Sequence, residues 1–164
     1  IKNVFWLPQP NKVELHFDSN VPDLEKVAAV FVYAFNDSGE LLMAQEHKGT
    51  WNIPGGGREK GETIEDTAVR ETIEEACVKI KGVSVVGYQR LWVRGKKPEN
   101  YKRSFPEAYE VFVVASIDEE HPFEKSSEMV QRKYFKKADA EKEDGLRFEN
   151  RHVIYDKALA SLES

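Results

Sequence analysis

The spacing of apolar residues changes several times along this chain, and each change marks an element. From Lys12 to Phe17 apolar and polar residues alternate, with Val13, Leu15 and Phe17 on one side and Lys12, Glu14 and His16 on the other. That period of two predicts a half-buried strand. Val21-Pro22-Asp23 reads as a turn. Val27 to Phe35 is an unbroken apolar run, VAAVFVYAF, rich in β-formers, which predicts a central strand buried on both faces. Asn36-Asp37-Ser38-Gly39 is a turn signal, and Glu40 to Gln45 is expected to pair back as a hairpin. Further on, Val83–Val86 and Tyr88–Val93 read as strands broken near Gly87, and Ala108–Ile117 as another strand. Asp118–Ser127 reads as an acidic loop and Ala138–Glu143 as a short helix. Asn150–Leu162 is expected to be a closing amphipathic helix with Val153, Ile154, Leu159 and Leu162 in the core; His152 within it reads as structural. Strands flanking one helix, then a closing helix, predict an α+β fold.

Between Thr63 and Ile80 the period becomes helical. Thr63 can cap the helix, with Asp66 three residues on as a short capping box. At about 100° per residue, Val69, Ile73, Ala76, Cys77 and Ile80 share one side, expected to anchor the helix. Glu71, Glu74 and Glu75 share the other, expected to form an exposed acidic ridge. Like charges at this spacing destabilise a helix by roughly 0.2–0.5 kcal/mol per pair. A plain solvated face carries that cost; a hard, oxygen-seeking dication such as Mg²⁺ or Mn²⁺ removes it.

Composition narrows the picture. At 164 residues, 40% hydrophobic and 32% charged, the chain suits one domain with an adequate core. No apolar run approaches the roughly 18–20 residues that span a bilayer, so no membrane partner is expected. No secretory signal is visible, although the chain begins at Ile1 without a Met, which leaves room for a trimmed or missing segment. One cysteine, Cys77, excludes an internal disulfide and fits a reducing, cytoplasmic compartment. A net charge of −5 argues against a stable nucleic-acid partner held by bulk electrostatics, but not against a small phosphorylated substrate. Against that background, Arg94 to Phe105 is locally basic: Arg94, Lys96, Lys97, Lys102 and Arg103 oppose only Glu99, with Tyr101 and Phe105 interleaved. It either clamps phosphates beside a base-stacking aromatic or is a solvated hairpin tip.

From Gly56 the sequence runs five residues to Glu62, seven more to Arg70-Glu71, then two to Glu74-Glu75 and one to Cys77-Val78. This pattern resembles the Nudix box: glycine, five residues, Glu, seven residues, Arg-Glu-apolar-any-Glu-Glu-any-Gly-apolar. Thr72 departs from an apolar position and Cys77 from the glycine. Glycine suits the left-handed residue that ends a helix; cysteine adopts that conformation at a cost, so an altered helix exit is expected. Thr72 is expected to bond a carbonyl one turn back.

The resemblance implies an α/β/α sandwich with a mixed β-sheet between helices, one domain over 1–164 with the box at 56–78, and a short strand at Trp51–Ile53. It implies Mg²⁺-dependent, or possible Mn²⁺-dependent, hydrolysis of a phosphoanhydride in a nucleoside diphosphate linked to another moiety X. Glu71, Glu74 and Glu75 then become metal ligands and catalytic residues, with a carbonyl of Gly55 as a further ligand and Arg70 and Glu62 in support. Glu128, upstream of Tyr134-Phe135, stands where the family places an extra metal-binding or base carboxylate; Glu110, Glu120 and Glu124 compete for that role. The general base lies among Glu74, Glu75 and Glu128. Substrate contacts outside the box are expected from Trp51, Arg90, Tyr101, Lys102 and Arg103. The expected partner is a small nucleotide-derived molecule, and a homodimer fits the family. The alternative is a nucleotide-sensing domain without catalysis, against which the retained glutamates count. An isoprenoid-diphosphate isomerase fits less well, since Cys77 sits in the helix rather than in a separate pocket.

Overall fold

The unbroken apolar run forms the middle of the sheet, as strand β2 (Val27–Phe35). The structure, a computed structural model, describes residues 1–147 and 151–164. The other strands are β1 (Asn11–His16), β3 (Leu41–Glu46), β4 (Trp51–Asn52), β5 (Gly55–Gly57), β6 (Val78–Val93), β7 (Glu107–Glu120) and β8 (Met129–Phe135). The helices are α1 (Ile64–Ala76), α2 (Lys137–Ala140), α3 (Asp144–Arg147) and α4 (Arg151–Glu163). The main path of the sheet is β1-β6-β7-β2-β3-β4, with β5 on β2 and β8 on β3. β2 runs parallel to β7 and antiparallel to β5, so the sheet is mixed.

Successive residues of a strand face opposite sides, and β2 serves two cores by that rule. Val30, Val32 and Ala34 join Val111, Val113 and Leu42 beneath Ala68 and Ala76 of α1. Tyr33 and Phe35 join Phe112, Val114 and Met43 beneath Ile154, Tyr155 and Ala158 of α4. The expected α/β/α sandwich is therefore present. A third cluster, Val4, Leu7, Val13, Leu91 and Val93, takes Tyr101 and Phe105 of the basic loop as packing partners.

Several elements differ from the expectation. The two strands on either side of Gly87 are one strand, β6, whose register shifts between Val85 and Gly87: a bulge absorbs the glycine without ending the pairing. β7 continues to Glu120, so the start of the acidic loop is strand. On α4, Ile154 is buried and Leu159 half-buried, but Leu162 is 40% exposed and Tyr155 and Ala158 fill the interface instead. His152 is exposed. Asn150 lies outside the described residues.

Helix α1 begins as expected. Asp66 N–H donates to Thr63 Oγ1 at 3.0 Å and Thr63 N–H to Asp66 Oδ2 at 2.9 Å. Thr72 Oγ1 donates to the Ala68 carbonyl at 2.8 Å. The exit corrects the expectation drawn from Cys77. That residue does adopt the left-handed conformation, with φ 55° and ψ 39°, and its N–H closes the last turn on Ile73. Arg132 Nη1 covers the Ala76 and Cys77 carbonyls at 2.8 and 3.0 Å, placing a cation where a helix end carries partial negative charge. A side chain in this conformation costs roughly 1–2 kcal/mol. Cys77→Gly is therefore expected to stabilise the protein by about 0.5–1 kcal/mol net of glycine's unfolded-state entropy, read as a higher thermal midpoint; a lower midpoint would show that the Cys77 thiol contributes more than the backbone costs.

Candidate active site

The glycine strand β5 decides where the carboxylates go. A Cβ on Gly55 would lie 2.7 Å from the Val30 carbonyl oxygen, and one on Gly56 would lie 2.4 Å from Glu71 Oε1. Gly55 must therefore be side-chain-free for the strand to seat against β2, and a side chain at Gly56 would displace the Glu71 carboxylate from its place. The helix face that makes this approach carries Ala68, Thr72 and Ala76, and with them Glu71 and Glu75.

This corrects the exposed-ridge expectation. Glu71 and Glu75 are buried, at 9% and 8% exposure, while Ile73 is 46% exposed. Only Glu74 stands in solvent, with 57% of its side chain accessible. Ile80 belongs to β6 rather than to the helix. Ranking positions by hydrophobicity placed Val69 and Ala76 correctly against the core but erred at Ile73 and at the two glutamates, because α1 docks largely through small residues and leaves room for Glu71 and Glu75 in the interface. Among the described residues, no three carboxylate, imidazole or thiolate groups converge as a ready-made metal cage.

Arg70 ties the pieces together. Its Nε and Nη2 donate to the two oxygens of Glu62 at 2.6 and 3.0 Å, a bidentate pair. Its Nη1 reaches Glu71 Oε1 at 2.7 Å and Glu74 Oε2 at 3.3 Å, and Nη2 also reaches the Gly57 carbonyl at 2.8 Å. Glu62 accepts as well from the Glu59 N–H and from Thr67 Oγ1, at 2.9 and 2.7 Å. Arg70's hydrogen bonds, with these others, hold the Glu62 carboxyl down to about 2. Arg70 is itself raised above its already high value, first by Glu62.

Glu75 is the opposite case. Burial pushes its carboxyl from 4.5 up to about 8; the Gly55 N–H, which donates to Oε1 at 3.0 Å, opposes this, and the charges of Glu71 and Glu128 add to it. Glu71 and Glu75 lie within hydrogen-bonding reach of one another, and it is Glu75 that holds its proton to high pH. All the donors are carboxylate oxygens and the repulsion among them is relieved by positive charge, which is the chemistry of a site for a hard dication. The residues present fit Mg²⁺ or Mn²⁺. Gly55 presents an N–H to this pair.

The remaining expected residues are scattered. Glu128 is exposed, in a cleft with Glu46, His47, Lys48 and Met129, near enough for its charge to act on Glu75. Lys102 and Arg103 line a basic groove with Lys26, Arg58 and Lys60 that reaches Gly57 of the box. Tyr101 packs edge-on against Phe105 at 6.2 Å over the third core cluster, so it braces the loop. Arg90 pairs with Glu107 and lies 4.7 Å over Trp92, in a pocket with Lys12, Glu14 and Arg94 that contains no box residue. Trp51 stacks edge-on against Phe135 at 5.0 Å; its neighbours Thr50 and Asn52, on the opposite face of the strand, line a cavity in its place. Sequence reasoning missed that cavity, because its walls come from six separated segments.

A mixed sheet between helices, with this box helix laid on a glycine strand, is the Nudix fold. The NUDIX domain model matches residues 25–156, and the chain belongs to that family. It is 35% identical over 69 residues to the RNA pyrophosphohydrolase of Baumannia cicadellinicola, covering 42% of this chain and 43% of that protein. It is 31% identical over 101 residues to Nudix hydrolase 5 of Arabidopsis thaliana, covering 55% of this chain and 31% of that one. The chain thus spans less than half the length of these curated relatives. Among solved structures, a Bacillus subtilis pyrophosphohydrolase superposes with a TM-score of 0.68 at 20% identity, over 99% of this chain and 94% of the other. A C. elegans Ap4A hydrolase gives 0.59 at 21%, over 84% and 98%. At those identities the likeness is one of fold.

The raised Glu75 carboxyl has a consequence for stability. A folded-state value above the unfolded one means that the folded protein holds the extra proton, so its contribution is full below about 4.5 and is lost as pH rises through about 8. In chelator, the thermal midpoint is expected to fall between those values, and Glu75→Gln to flatten the fall; an unchanged slope in the variant would reject the assignment.

Proposed function

We propose that the chain, acting as one Nudix unit over residues 1–164, hydrolyses a phosphoanhydride bond in a nucleoside diphosphate derivative with the help of Mg²⁺ or Mn²⁺. The observation that carries this is the buried Glu71–Glu75 pair, pressed against the glycine strand and braced by Arg70. Burying two carboxylates side by side costs several kcal/mol unless a counter-charge meets them, and a fold has no packing reason to do so.

Glu71 and Glu75 would hold the cation, with Glu74 or Glu128 completing its shell. When bound, a dication neutralises phosphate oxygens and supplies Lewis acidity. The protein's own groups do the rest. Arg70 keeps Glu71 aimed, and Glu62 keeps Arg70 aimed. Glu75 is engaged by Gly55 and Glu71, so the exposed Glu74 and Glu128 are the freer groups to take a proton from the attacking water. Lys102 and Arg103, in the groove that reaches Gly57, are placed to meet phosphate oxygens. The names borne by the relatives, pyrophosphohydrolases among them, agree with this class of reaction.

A panel of nucleoside di- and triphosphates, nucleotide sugars and dinucleoside polyphosphates, with products weighed by mass spectrometry, should reveal Mg²⁺- or Mn²⁺-dependent cleavage between two phosphorus atoms. Glu75→Gln should lower turnover roughly 10²–10⁴-fold with the fold intact. Unchanged turnover in saturating Mg²⁺ would remove Glu75 from the mechanism; tight binding without cleavage would favour a nucleotide sensor.

A further inference from the structure

A cavity of about 310 Å³ opens on the α4 side of the sheet, and none of the residues lining it belongs to the box; it is at the small end of the roughly 300–1,000 Å³ typical of small-molecule sites. Phe31 lines it from the α4 face of β2 and pairs through its backbone with Gly55, whose N–H holds Glu75 on the α1 side, so the cavity and the carboxylates meet at the same pair of strands from opposite faces. Glu46 and Lys48 border both this cavity and the cleft of Glu128. Phe5, Trp6 and Phe31 give it an aromatic lining, and Gln89, Glu110 and Arg151 give it polar groups.

Those polar groups are unusual in their position. Glu110 is 5% exposed, on a strand paired on both sides, β7 between β2 and β6. Its cross-strand partner is Gln89, whose Nε2 donates to Glu110 Oε2 at 2.6 Å. Among the described residues the other oxygen has one long contact, 3.5 Å, from Arg103. A buried carboxylate is retained against its desolvation cost when something compensates it, and a neutral amide with one long ionic contact compensates it in part. Arg151 stacks on Phe31 and Phe112 at 4.5 and 4.9 Å, and its Nη1 is buried with no hydrogen-bond partner among the described residues.

We propose that this cavity binds a guanine-type base, with Glu110 as its specificity-determining residue. A carboxylate accepts hydrogen bonds and donates none. Among the common bases only guanine offers two adjacent N–H donors, at N1 and the 2-amino group. Adenine and cytosine set a ring-nitrogen lone pair beside their amino group, and uracil flanks its N–H with two carbonyls; each would face the carboxylate with like polarity. Guanine also carries the O6 and N7 acceptors for which a guanidinium is the usual partner, and Arg151 supplies one. The aromatic lining provides stacking surface for the ring. The phosphates would then run toward Glu71 and Glu75, so the proposal rests on the nucleotide-hydrolase reading for that end of the ligand alone.

Equilibrium binding of GDP, IDP, ADP, CDP and UDP in Mg²⁺, measured by calorimetry, tests this without requiring turnover. GDP should bind about tenfold or more tighter than ADP, CDP and UDP, and IDP, which lacks the 2-amino donor, should bind about tenfold weaker than GDP. The IDP comparison uses the unaltered protein and so does not depend on any variant folding. Glu110→Gln should collapse the GDP preference, and Glu75→Gln should preserve it. Equal affinity for all five, no binding of any, or a GDP preference untouched by Glu110→Gln would overturn the proposal. Retained GDP preference with no cleavage of any substrate would instead count against the hydrolase reading alone.

Discussion

The close approach of helix α1 to a strand without side chains is the constraint from which the site follows. Gly55 leaves no volume for a Cβ against the β2 backbone, Gly56 lies directly on the Glu71 carboxylate, and α1 docks with alanine and threonine. The space so created is filled by two glutamate side chains rather than by hydrocarbon. Tight packing of this kind tolerates little adjustment, so the carboxyl positions are fixed by the fold instead of by a flexible loop.

That arrangement carries an electrostatic debt. Glu62, Glu71 and Glu74 share one guanidinium, Arg70, and Glu75 lies outside its reach. The bidentate bond satisfies Glu62 fully, as its low carboxyl value shows. Glu75 has no cationic partner among the described residues, and burial holds its proton to about 8. Glu62 and Glu75 thus sit in opposite protonation regimes because one has the arginine and the other has burial and a like-charged neighbour. Perturbed carboxyls of this sort gather at functional sites more often than in structural networks.

Much of this was legible in the sequence, and the rest was hidden for identifiable reasons. The apolar run Val27–Phe35 could only be a strand buried on both faces, and Thr63 with Asp66 marked the helix start. The box spacing located Glu62, Arg70 and the glutamates. Which way the helix faced was not legible: periodicity assumes that large apolar residues dock, and here Ile73 is exposed while Glu71 and Glu75 are buried. Cys77 in a left-handed conformation was hidden by the expectation of glycine, because nothing local announces Arg132, fifty-five residues on, at the helix exit. Trp51 drew attention as an aromatic beside the box, but strand alternation turns Asn52 to the cavity instead. Glu110 was visible only as one competing carboxylate; its pairing with Gln89 depends on the register of two distant strands.

The account stands or falls on whether the buried carboxyl pair is a cation site. Calorimetric titration with Mn²⁺ near neutral pH, repeated in buffers of different ionisation enthalpy, reports both binding and the protons it displaces. The account predicts one tight site that releases about one proton from the Glu71–Glu75 pair and is lost in Glu75→Gln. Binding without proton release that persists in that variant, or no binding at all, would contradict it.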